Sequence, residues 1–114
     1  MENLNLLELS ILEAILEENK NKYPLLLSQI PLLKVINREY TGVGLYSNFS
    51  YVEFVKEEEV INDLLSSKKK LIIEGVKNEL SYVLDISKGK IKFLEIVTNG
   101  NDTLNDKIKN FTLL

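Results

Sequence analysis

The chain has 114 residues, a formal charge of −3 and an apolar fraction of 45%. That length fits one domain, and so apolar and weakly charged a chain builds a core and does not stay disordered. It contains no cysteine and no histidine. Disulfides, thiolate chemistry, the usual neutral-pH base and the commonest metal ligand are therefore all excluded.

Residues 1–19 read as a helix: they lack Gly and Pro, and Leu, Glu, Ile and Ala dominate. Leu4, Leu7, Ile11, Ala14 and Ile15 form one stripe, and Leu9, Leu12 and Leu16 widen the apolar arc to roughly 220°, more than one sheet face needs. Glu8 falls inside that arc. It is read either as a core-edge residue with its carboxylate in solvent or as part of a partner-binding face. All five charges in this stretch are acidic: Glu2, Glu8, Glu13, Glu17 and Glu18. The late ones oppose the helix dipole, so the helix should end near Asn19. A polar connector, 20–22, leads to a short helix over 24–29 that Pro31 ends.

Residues 32–40 read as a first strand and residues 43 to about 54 as a second, antiparallel to it, pivoting on Thr41-Gly42-Val43-Gly44. Two glycines one residue apart suggest a tight turn, a bulge or a close backbone approach. In the second strand Val43, Leu45, Phe49 and Tyr51 share one face, which Ser47 interrupts, while Tyr46 takes the other. Residues 56–70 carry Glu57-Glu58-Glu59 first and Lys68-Lys69-Lys70 last, a distribution that suits a helix and equally an ordered loop. Strands follow over 71–76, 80–86 and 91–98. The last two form a hairpin whose turn, 87–90, uses Gly89 for its positive φ. The tail closes as a strand over 111–114 or as a helix through Leu104, Ile108 and Phe111, and the strand is preferred. The expected fold is α+β: a helical part (1–31) packed on an antiparallel sheet of about five strands (32–114).

No recognisable chemistry attaches to these elements. Gly42-Val43-Gly44 precedes a strand, so no helix N-terminus faces an anion. Arg38 and Glu95 are charges within strand-like runs; they read as a cross-strand ion pair, as unrelated solvent-facing charges or as a partner contact that Glu39, Tyr40, Tyr46 and Tyr51 could join. Asp85 and Glu95, on neighbouring strands, are the sole candidates for paired acid-base carboxylates. Phosphate binding needs clustered Lys and Arg, so nucleic acid is not an expected partner. No apolar run is long enough to span a bilayer, and Met1-Glu2-Asn3 lacks the basic region of a secretory signal. A cytoplasmic location is expected.

The order of an N-terminal helix, Tyr23-Pro24 with a Leu-rich turn, R-x-x-T-G-V-G at residues 38–44, and a late glycine turn followed by Leu94-Glu95 resembles a group of small bacterial proteins. These carry an R-x-x-T-G-x-G motif, and some resemble immunity proteins of polymorphic or contact-dependent toxin systems. The resemblance implies a cytoplasmic location, no cofactor and tight binding to a cognate toxin domain. The chain is expected to be no enzyme and to occlude that domain's active site, and an acidic surface would suit a nuclease or another basic partner. Arg38, Thr41, Gly42, Gly44 and Glu95 would be its structural motif. The residues expected to meet a basic partner are Glu8, Glu13, Glu17, Glu18, Glu57, Glu58, Glu59 and Tyr46. The rival readings are a small ligand-binding protein or carboxylate-dependent enzyme, with Asp85, Glu95 and Tyr46 lining a deep pocket, and a homodimer or larger homo-oligomer joined through the wide helix stripe.

Overall fold

The computed structural model describes residues 1–105, 108 and 110–114. One α-helix, α1 (Leu6–Glu18), and a 3₁₀ helix (Leu27–Leu32) precede seven strands: β1 (Leu33–Tyr40), β2 (Gly44–Tyr51), β3 (Asp63–Leu65), β4 (Leu71–Ile73), β5 (Ser81–Ser87), β6 (Lys90–Val97) and β7 (Phe111–Leu113). Five strands form an antiparallel sheet in the order β1-β2-β6-β5-β3, and β4 pairs with β7 in a separate two-stranded sheet. This is the expected α+β arrangement of a helix, a small second helix and a five-stranded antiparallel sheet.

The sheet's membership differs from the sequence reading. The strand expected over 71–76 shortens to β4 and leaves the main sheet, where the unforeseen β3 takes the fifth place. Residues 56–70 form no helix: they run as a loop into β3, and Glu57, Glu58 and Glu59 lie in that loop. Pro31 does not end the second helix but lies inside it, where it gives up one i→i−3 bond and supplies a helical φ. The tail closes as the strand β7; of the alternative helix, residues 106, 107 and 109 lie outside the described residues.

The first five residues are extended, not helical. Glu2 exchanges two backbone hydrogen bonds with Val35 at the edge of β1. The helix starts where Asn5 caps it: the Asn5 side chain accepts from the Glu8 N–H, and the Glu8 carboxylate accepts from the Asn5 N–H, both at 2.8 Å. This reciprocal arrangement satisfies two amides that the helix itself cannot. At the other end the Asn19 side chain donates to the carbonyls of Ile15 (2.8 Å) and Ser66 (3.3 Å), and α1 stops there.

Among the described residues, the buried hydrophobic side chains other than Ala14 form one cluster. Leu33, Val35, Leu45, Phe49, Tyr82, Leu84, Ile86, Ile91, Leu94 and Ile96 line the inner face of the sheet, and Leu7, Ile11, Leu12, Ile15 and Leu16 of α1 are buried with them. Most of the wide apolar arc of α1 is thus consumed within the chain, while Leu4 and Leu9 of the same arc are half-buried.

Candidate functional site

The R-x-x-T-G-V-G segment is spent on architecture. β1 carries a bulge between Val35 and Asn37, where Ile36 has no partner on β2. Leu33 and Val35 face the core before the bulge. An unbroken strand would next turn Asn37 inward, but the extra residue re-aims the alternation, and Arg38 comes opposite Ser47 on the inner face. There it meets Glu8. Arg38 Nε donates to Glu8 Oε2 and Nη2 to Oε1, each at 2.8 Å. The Ser47 hydroxyl donates to Oε2 at 2.6 Å, and the Asn5 amide donates to Oε1. Each carboxylate oxygen therefore accepts two hydrogen bonds, which fills the group's capacity. Arg38 also holds the extended N-terminus, through Nη1 to Glu2 Oε2 at 2.6 Å and Nη2 to the Asn3 carbonyl at 3.3 Å.

Two expectations are corrected by this network. Glu8 is not at the core edge in solvent: it is 0% exposed, and a saturated, buried carboxylate offers nothing to a docking partner. Arg38 does not pair with Glu95, which stands on the opposite face, in register with Tyr46 and Val83. The sequence carried a signal that was missed. Asn5-Leu6-Leu7-Glu8 has the spacing of a capping box, and Glu8 and Ser47 are polar residues at positions otherwise reserved for apolar ones.

Burial pushes the Glu8 carboxyl up, but its bonds to Arg38, Ser47 and the Asn5 amide outweigh burial and hold it below the usual range. A carboxyl lowered by folding stabilises the native state above its unfolded pKa, about 4.3 for Glu, and that contribution is lost as pH falls through the lower folded value. Asp63 acts with the same sign, lowered first by the Tyr23 hydroxyl (2.6 Å) and then by Lys22 (3.1 Å). The parent protein is therefore expected to lose stability steeply below about pH 4. Glu8→Gln should be less stable at pH 7 and show a shallower acid limb. Urea midpoints measured between pH 7 and pH 3 check this, and parallel limbs would contradict it.

The pivot has both features expected of it. Gly42 takes φ +91°, and its carbonyl accepts from the Leu104 amide at 2.9 Å. Gly44 lies so close to β6 that a Cβ on it would sit 2.6 Å from the Ile96 carbonyl oxygen. Thr41 closes the turn through its amide, which donates to the Gly44 carbonyl at 3.0 Å.

The remaining candidates do not converge on one place. Tyr46 lies on the outer face of the sheet, its ring tilted 59° to that of Phe93 with centroids 5.7 Å apart. The Glu95 carboxylate, hydrogen-bonded to the phenol, holds Tyr46 above the usual tyrosine range, and Glu39 adds to the effect. Asp85 pairs across from Phe93 on the same face. Of the hydrophobic residues of this face, Tyr46, Val83, Phe93 and Val97 are half-buried and Leu64 is exposed, and all lie outside the core cluster.

Glu13, Glu17 and Glu18 are exposed and line an open groove of about 770 Å³ between α1, the 3₁₀ helix and β7, floored by Ala14, Ile30 and Phe111. Glu17 pairs with Lys20 at 2.6 Å, and Glu18 accepts the Lys68 amide at 2.9 Å, which ties the end of α1 to the segment before β4. Glu57, Glu58 and Glu59 are exposed in the β2–β3 loop. Among the described residues no group of three or more acids could hold a metal ion, and no helix is long and apolar enough to cross a membrane.

A scan against protein-family models matches none of them, and searches of the curated proteins and of the solved structures likewise find no match.

Proposed function

We propose that the chain is a binding protein of the immunity type, which neutralises a cognate bacterial toxin domain in the cytoplasm by covering its active site. The observation that carries this reading is the disposition of the acids. Paired carboxylates do acid-base work when they converge in a pocket. Here Asp85 and Glu95 stand on an open sheet face beside Tyr46 and Phe93, so they do not converge on an enclosed site for such work. The R-x-x-T-G-V-G resemblance supports the same reading, as does an excess of acid that would draw in a basic partner such as a nuclease.

The test is neutralisation. The purified chain is mixed with the toxin domain encoded beside its gene, and the domain's activity is titrated. Loss of activity complete at one equivalent, with a complex isolable by size exclusion, is the expected result. An unaffected activity with no complex would sink the proposal.

A further inference from the structure

Residues 52–62, the loop joining β2 to β3, expose apolar side chains, and the second half of the loop, residues 58–62, is held in place. Phe54 is 90% exposed and Val60 is 92% exposed. The loop itself is seated on the β5–β6 turn. Glu58 N–H donates to the Lys88 carbonyl and Gly89 N–H to the Ile61 carbonyl, both at 2.8 Å, and the Asn62 side chain accepts the Lys88 amide at 2.9 Å. Gly89 makes this seat possible, because a Cβ there would come within 2.9 Å of Glu58 Cβ. Val55 and Ile61 turn inward from the same loop and, with Tyr23, Pro24 and Leu25, line an apolar cleft of about 300 Å³. A held segment loses little conformational freedom on binding, so Val60, which it carries, is an effective anchor, and Phe54 adds a large exposed ring beside it.

The charge of this loop indicates the partner. Four glutamates, Glu53, Glu57, Glu58 and Glu59, against Lys56 give residues 52–62 a net −3, which is the net charge of the entire chain. The rest of the chain is balanced.

We infer that residues 52–62, with the cleft beside them, form the docking surface. The occupant is a protein face with an apolar recess ringed by Lys and Arg. This rests on the proposed binding to a toxin domain and identifies the contact. Phe54 and Val60 enter the recess as anchors, and Glu57, Glu58 and Glu59 at the rim set the rate of encounter.

The experiment measures association and dissociation rates with the toxin domain encoded beside the gene, at two salt concentrations. Four proteins are compared: the parent, the double variant Phe54→Ser/Val60→Ser, the reversal Glu57→Lys/Glu58→Lys/Glu59→Lys, and Tyr46→Ala as a probe of the outer sheet face. The double variant should bind about tenfold more weakly or worse, through faster dissociation, with an unchanged melting temperature. The reversal should slow association and flatten its salt dependence. Tyr46→Ala should bind like the parent. Parent-like rates in both loop variants would overturn the inference while leaving the proposed function standing, as would loss of binding in Tyr46→Ala alone. Failure of the parent to bind would overturn both.

Discussion

Replacing Arg38 with alanine is expected to destabilise the fold by about 3–5 kcal/mol, because it leaves the Glu8 carboxylate buried without its charge partner. Arg38 supplies two of the four hydrogen bonds that Glu8 accepts and also clamps Glu2 and Asn3. Glu8→Ala should cost a similar amount, since it strands Arg38, whose side chain is only 19% exposed, and removes one arm of the helix cap. The double variant should cost less than the sum by at least about 1 kcal/mol, the mark of two groups that serve each other. Arg38→Lys should recover only part of the loss, because an ammonium cannot reproduce the two parallel bonds of the guanidinium. Glu95→Ala, by contrast, should add independently to Arg38→Ala. Urea unfolding of the variants decides the matter: an additive Arg38/Glu8 cycle, or coupling of Arg38 to Glu95, would contradict the network.

The second large effect belongs to Gly44. A Cβ there would lie 2.6 Å from the Ile96 carbonyl oxygen and 3.4 Å from the Val97 Cα. Both are backbone atoms of a neighbouring central strand, so neither can swing aside as a side-chain end would. Gly44→Val should therefore cost about 3 kcal/mol, at the upper end for overpacking, and would push β2 from β6. Gly42 differs in kind. Nothing lies within 4 Å of its hypothetical Cβ, but its φ of +91° strains any other residue. Gly42→Ala should cost about 1–2 kcal/mol from backbone conformation alone. Equal losses at the two positions, or a larger one at Gly42, would reject this division between steric contact and backbone strain.

Much of the architecture was legible from alternation and turn chemistry. The hairpin of β5 and β6 follows from Leu80, Tyr82, Leu84 and Ile86 on one face and from Gly89, which takes φ +74° in its turn. The pivot between β1 and β2 follows from its two glycines. What escaped was decided by single local irregularities. Strict alternation would put residue 38 opposite Tyr46, on the face that carries Glu95. One extra residue at Ile36 reverses that face, and nothing in the run Val35-Ile36-Asn37 announces it. The helix start was misplaced for the opposite reason. Residues 1–5 have helix-compatible composition, but capping at Asn5 and pairing of Glu2 with Val35 outweigh a weak propensity. β3 is three residues long, too short for periodicity to register. Of the partner-binding candidates, composition marked the acids but not their separation: Glu8 in the core, Glu13, Glu17 and Glu18 on the α1 groove, Tyr46 on the outer sheet face, and Glu57, Glu58 and Glu59 in a loop. Phe54 was passed over as the end of a strand-like run and Val60 as part of a stretch read as helix or ordered loop, and only the position of the loop reveals both as exposed.

The bulge at Ile36 also governs how the protein behaves in a crowded solution. A straight edge strand offers a ladder of unsatisfied amides and carbonyls onto which other chains can add, the first step towards aggregates. At one margin of this sheet β1 is kinked at Ile36 and already hydrogen-bonded to Glu2. At the other margin β3 extends for only three residues, Asp63–Leu65, beginning with a charge. Neither margin presents a long regular template. The same extra residue that turns Arg38 toward Glu8 thereby protects the sheet from growing by strand addition, so a variant that deletes Ile36 would lose solubility along with its ion pair.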